Sequence, residues 1–129
     1  MRRLFGSIGG VMIAAALAGG ALATDANHIP GGVWKVVGIG AKAVTGPTLE
    51  VNGDKVSGSG GCNRYSGPAV IKGENARFGP LASTRMACEH LDIEQAFFNA
   101  LEGVRTYSAD DERLILLAAD GQPLVYLAR

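Results

Sequence analysis

The sequence predicts a mainly β domain of the β-rich α+β type: a small antiparallel, barrel-like sheet with one packed α-helix, preceded by a signal peptide. Three observations predict it. Short apolar or alternating segments recur with turn chemistry about every 8–12 residues, the spacing of small sandwiches and barrels. One segment alone, ending near Val104, has helical periodicity. The first 23 residues are composed unlike everything after them.

The amino end has the parts of a secretory signal. Arg2 and Arg3 are followed by the uncharged run Ile8 to Leu22, which closes on the small-x-small site Ala21-Leu22-Ala23. The run is short for a membrane span and is loosened by Gly9, Gly10, Gly19 and Gly20. Two arginines so near the start, with little around them, favour the general secretory route over the twin-arginine route. Residues 1–23 are therefore read as signal, 24–32 as a flexible lead-in and 33–129 as the domain. The expected location is periplasmic or secreted. Removing the signal lowers Lys plus Arg from 12 to 10 against 12 acids, a balance near −2. Such a balance gives no electrostatic case for nucleic acid or an anionic membrane. The remaining length suits one domain with one core, expected as a soluble monomer.

Val33-Trp34-Lys35-Val36-Val37 is β-branched and aromatic and reads as the first strand. Leu49-Glu50-Val51 and Lys55-Val56-Ser57 flank Asn52-Gly53-Asp54, a strong hairpin signal. Gly58 to Gly67 is too rich in glycine to read as regular structure. Ala69-Val70-Ile71 and Ala76-Arg77-Phe78 form a second hairpin, broken by Gly79-Pro80. Ile93, Phe97, Ala100, Leu101 and Val104 share one helical stripe, with Asp92 as expected cap, Gln95 in capping-box position and Gly103 as the stop. Gly103 to Tyr107, Arg113 to Ala118 and Pro123 to Ala128 return to β, turning at Asp110-Asp111 and Asp120-Gly121.

Catalytic constellations are missing from this pattern. His28 lies in the lead-in, and His90 could serve only Cys88 as a nucleophile. Zinc takes about four ligands, whereas Cys62, Cys88 and His90 supply three without paired-Cys spacing. Gly58-x-Gly60-Gly61 lacks the Lys and helix of a phosphate loop. The chain is read as non-enzymatic, with no metal and no cofactor. Cys62 and Cys88, in an exported chain, are expected to bridge. The alternatives are two free buried thiols, or a metal site with His90.

Two stretches are the most informative: Gly61-Cys62-Asn63-Arg64-Tyr65-Ser66-Gly67 and Thr84-Arg85-Met86-Ala87-Cys88. A bridge would pin them side by side. Asn63, Arg64, Tyr65, Arg85 and Met86 then form a candidate binding surface for an anion or a peptide. The competing reading makes them internal fasteners, with Asn63 on turn backbone and the arginines paired to Glu89 or Glu94.

These stretches, in this order and followed by a helix with Glu94, Phe98 and Leu101, resemble the signatures of the META domain family, which includes the bacterial heat-shock protein HslJ. The resemblance runs from Trp34 to about Leu127. It implies a compact β-rich, barrel-like domain with a helix, and an envelope setting. Bacterial members are linked to stress and to novobiocin tolerance, and no reaction is established for them. Many resemble lipoproteins; this chain has no Cys at the expected cleavage site to carry the lipid. The expected function is a partner-binding or stress-related envelope domain. The alternatives are a small-ligand carrier within the barrel, or an inhibitor of an envelope hydrolase.

Overall fold

Alternation of apolar and polar residues sets each strand's inward face, and the glycine turns set where the chain reverses. The computed structural model describes residues 28–129. The expected signal peptide and the first four residues of the expected lead-in, 24–27, lie outside the described residues. The strands are β1 (Trp34–Ile39), β2 (Lys42–Ala43), β3 (Thr48–Asn52), β4 (Lys55–Ser59), β5 (Arg64–Lys72), β6 (Asn75–Phe78), β7 (Ala82–Ser83), β8 (Thr106–Ala109), β9 (Arg113–Leu117) and β10 (Pro123–Ala128). One helix, α1 (Leu91–Glu102), separates β7 from β8.

Eight of these strands close a barrel, in the order β1-β3-β4-β5-β6-β8-β9-β10. Antiparallel pairing of β1 with β10 shuts it, with Val36 opposite Leu127 and Ile39 opposite Val125. β2 adds to β1, and β7 lies off the ring against β5. Both expected hairpins form. Asn52 pairs Lys55 across Gly53-Asp54, and Lys72 pairs Asn75 across Gly73-Glu74. The thinnest seam is β6–β8, whose only register pair is Asn75 with Thr106.

The interior is filled. Trp34, Leu49, Val56, Val104, Leu114, Leu116 and Val125 are fully buried inside it, together with Phe97 and Leu101 from α1. The helix contacts β10 and β1 as well as β6. Those strands lie on different sides of the ring, so α1 runs across an open end and caps it. Within the expected loose lead-in, Ile29 is buried in the core, and the Trp34 indole donates to the Pro30 carbonyl at 2.9 Å. The packed domain thus begins before Trp34.

Two details differ from the sequence reading. Gly58 to Gly67 is mostly regular: Gly58 pairs Tyr65 and Ser59 pairs Arg64, leaving a loop of only Gly60 to Asn63. Glycine at position 58 serves that ladder, because a Cβ there would overlap the Thr48 carbonyl. The helix begins at Leu91, with His90 at the cap position and no side-chain capping bond. Asp92 lies inside the first turn, where a carboxylate favours the helix dipole. Gln95 donates instead to Asn99 at 3.2 Å. Gly103 does end the helix, its N–H donating to the Ala100 carbonyl.

Candidate functional site

Three elements meet at one junction: the Gly60–Asn63 loop, the segment from Leu81 to Cys88, and the first two turns of α1. β7 brings the segment in, with Tyr65 opposite Ser83 and Ser66 opposite Ala82. The Thr84 N–H then donates to the Arg64 carbonyl at 3.1 Å. Cys62 and Cys88 form a disulfide, with Cα atoms 6.1 Å apart. The bridge leaves neither sulfur as a free ligand for the metal alternative.

Asn63 is the hub. Its amide nitrogen donates to Glu94 Oε2 at 2.7 Å and to the Met86 carbonyl at 3.2 Å. Its amide oxygen accepts from the Thr84 hydroxyl at 2.9 Å and from the Met86 N–H at 2.7 Å. All four hydrogen-bonding positions of a side-chain amide are thereby used. Glu94 Oε1 accepts two backbone N–H groups, from Asn63 at 2.6 Å and Cys62 at 3.1 Å. Asn63 and Glu94, 2% and 5% exposed, are the buried polar side chains among the described residues. Burial alone would raise the Glu94 pKa. The Asn63 side chain, then the Asn63 and Cys62 N–H groups, outweigh it and hold the carboxyl below the usual range. Gly60 makes the approach possible, because a Cβ there would sit 2.7 Å from Glu94 Cγ and Phe98 Cζ.

Above this floor lies a groove of about 480 Å³ between α1 and the Leu81–Cys88 segment. Arg85 and Met86 stand on one wall, Leu91, Gln95, Phe98 and Asn99 on the other. Met86 is 60% exposed and Leu91 is also exposed, so each wall presents an apolar side chain.

The family model of the META domain matches residues 27–129. The chain belongs to the META domain family. Its fold is shared with a protein from Burkholderia xenovorans solved by NMR, at 23% identity and TM-score 0.64, covering 100% of this chain and 98% of that one. A second protein solved by NMR matches at 23% identity and TM-score 0.58, over 80% of this chain and 91% of that one. A DUF4847 family protein from Bacteroides vulgatus has a crystal structure that matches at 15% identity and TM-score 0.59, over 76% and 92%. No curated protein matches the chain.

The META domain distributes the five sequence-selected residues differently from the expected single surface. Tyr65 points inward. Its hydroxyl donates to the Thr48 carbonyl at 2.7 Å, and its ring meets Phe97 and Phe98 edge-on at 5.6 and 5.4 Å. Burial pushes its pKa up, with Arg64 opposing weakly. Asn63 also turns inward, as the hub. Arg64 is exposed, but it lines an adjoining hollow with Lys55, Ser57 and Ser66, which meets the groove at Ser83 and Thr84. Successive β5 side chains point to opposite faces, so Arg64 stands outward while the Tyr65 ring turns into the core. Arg85 and Met86 alone present side chains to the groove as exposed residues of the five. Glu94 does not fasten an arginine; it serves Asn63 and Cys62. Sequence spacing carried that signal: Glu94, Phe97 and Leu101 fall at i, i+3 and i+7, a carboxylate within an apolar stripe.

Proposed function

We propose that this META domain is a non-enzymatic, exported envelope protein that holds a peptide segment of a partner protein in the α1 groove, in the service of stress or antibiotic tolerance. The observation that carries the reading is the exposed pair Met86 and Leu91 flanking a groove with a cross-linked floor. The lining alternates apolar Leu81, Met86, Leu91 and Phe98 with the amides of Gln95 and Asn99, and sets Arg85 against two carboxylates, Glu94 in the floor and Glu102. A peptide offers matching apolar side chains and backbone polar groups. A rigid floor lowers the ordering cost of binding. The disulfide suits an oxidising compartment, and among the described residues no helix is long and apolar enough to cross a membrane. The filled interior argues against a ligand held within the barrel.

The test is capture from envelope extract, scored beside survival under novobiocin and heat. Met86→Ala with Arg85→Ala should abolish both capture and protection while the thermal midpoint stays unchanged. Arg64→Ala, over the other hollow, should leave both intact. Equal capture by all variants would overturn the assignment.

A further inference from the structure

A second surface lies on the outer face of the β5–β6 hairpin, at the thin β6–β8 seam. Val70 pairs Arg77, Lys72 pairs Asn75, and Arg105 enters β8 beside them, its carbonyl accepting the Ala76 N–H at 2.9 Å. These residues and Ala76 line a hollow of about 350 Å³. It contains three cations and no carboxylate, on a chain whose 12 basic and 12 acidic residues balance. The neighbouring acids do not line it: Glu74 lies in the turn, and Glu102 faces Arg77 and Arg105 across an adjoining hollow. The hollow shares no residue with the α1 groove.

The three cations are not equally free. Lys72 and Arg77 are exposed, whereas Arg105 is half-buried and anchored. Its Nη1 donates to the Val104 carbonyl at 2.7 Å and the Glu102 carbonyl at 3.0 Å. A guanidinium held by one nitrogen is oriented before any ligand arrives, so less side-chain freedom is lost on binding. Val70, 52% exposed, sets an apolar contact beside the charges.

We propose that this hollow binds a phosphate group, with Arg105 as the oriented fork, Arg77 as the second guanidinium and Lys72 as a mobile third charge. Planar guanidinium groups match the oxygens of phosphate two at a time, and a lysine adds a point charge. The shared chemistry fits inorganic phosphate or the headgroup of an anionic phospholipid; the exposed Val70 would suit the latter. Like all such pairing between exposed groups, it weakens with added salt.

The experiment uses the oxidised mature domain in low salt. One arm titrates inorganic phosphate and follows the amide and guanidinium resonances of Lys72, Arg77 and Arg105. The other measures co-sedimentation with phosphatidylglycerol vesicles against phosphatidylcholine vesicles. Saturable shifts at these residues that Arg77→Ala weakens about tenfold, the loss of one charge-assisted contact, support the site with free phosphate as ligand. Vesicle binding specific to phosphatidylglycerol and lost in Arg77→Ala supports it with the headgroup as ligand. Neither response, or binding that Arg77→Ala leaves unchanged, overturns it. Arg77 is exposed on a strand, so its replacement leaves the fold intact, and a Glu102→Gln control should not reduce either response.

Discussion

The loop–helix junction and the β8–β9–β10 meander are both tightly packed, yet opposite means hold them. In the meander, Leu114, Leu116, Val125 and Leu127 are buried and regular antiparallel ladders join the strands. At the junction the chain is irregular, and one amide, one carboxylate and one disulfide replace the ladder. Apolar packing is forgiving, because a shortened side chain leaves only a cavity. A buried polar hub is not, because losing one member leaves the others without partners.

The largest effect should follow from breaking the hub at its centre. Asn63→Ala removes the side-chain partner of Glu94 and three partners of the Thr84–Met86 segment at once. Each buried polar group left unmatched costs about 1–3 kcal/mol, and Glu94 Oε2, the Thr84 hydroxyl and the Met86 backbone lose a partner together, so the loss should be about 3–5 kcal/mol. Chemical denaturation should show that loss with the disulfide still closed, and a loss under about 1 kcal/mol would mean that water replaces the amide. Opening the covalent tie comes next. Cys88→Ser releases a loop spanning a separation of 26 residues, and the chain-entropy estimate for a loop of that size is about 3.5 kcal/mol. Alkylation of the native protein without reductant should leave its mass unchanged. In the meander, Leu116→Ala should cost about 3 kcal/mol, and that cost should be the same at any pH.

The same contrast explains what could be read from the sequence. The meander announces itself: Arg113 to Leu117 and Pro123 to Ala128 run apolar between Asp-bearing turns, and both strands form as expected. Asp110 shows why, since its carboxylate accepts the Glu112 and Arg113 N–H groups at 2.8 Å each and shapes the turn locally. The disulfide was legible from residue count and the expected export. The hub was legible only in part: the place of Glu94 in the apolar stripe marks it as inward-facing, but its partner Asn63 lies 31 residues away in a loop with no period. Glycines meant as loop in isolation proved to be ladder and close approach: Gly58 faces Tyr65, and Gly60 makes room for Glu94. The bridge does bring the stretches of Arg64, Tyr65 and Arg85 together, but Arg64 and Tyr65 are successive residues of a strand and point to opposite faces.

The smallest effect is the most specific, because it separates the two regions by pH. The Glu94 carboxyl is held below its ordinary value in the folded chain, while unfolded it returns to about 4.3. A depressed acid contributes stability that is fully present above the unfolded pKa and is lost as pH falls through the folded one. The wild-type protein should therefore weaken progressively as pH drops below about 4.3. In Glu94→Gln the amide oxygen can still accept from Cys62 and Asn63, but its NH₂ faces the Asn63 amide nitrogen as donor against donor. At neutral pH the variant should be weaker by about 1–3 kcal/mol, the cost of an unmatched buried polar group. Its stability should also fall less steeply on acidification, the remaining slope coming in part from Asp110, whose carboxyl the Glu112 and Arg113 N–H groups also hold down. Urea midpoints at neutral and acid pH make the comparison: the two proteins should converge as Glu94 is protonated, whereas wild type and Leu116→Ala should stay parallel. Parallel curves for Glu94→Gln would mean that the carboxylate is not what ties the loop to the helix.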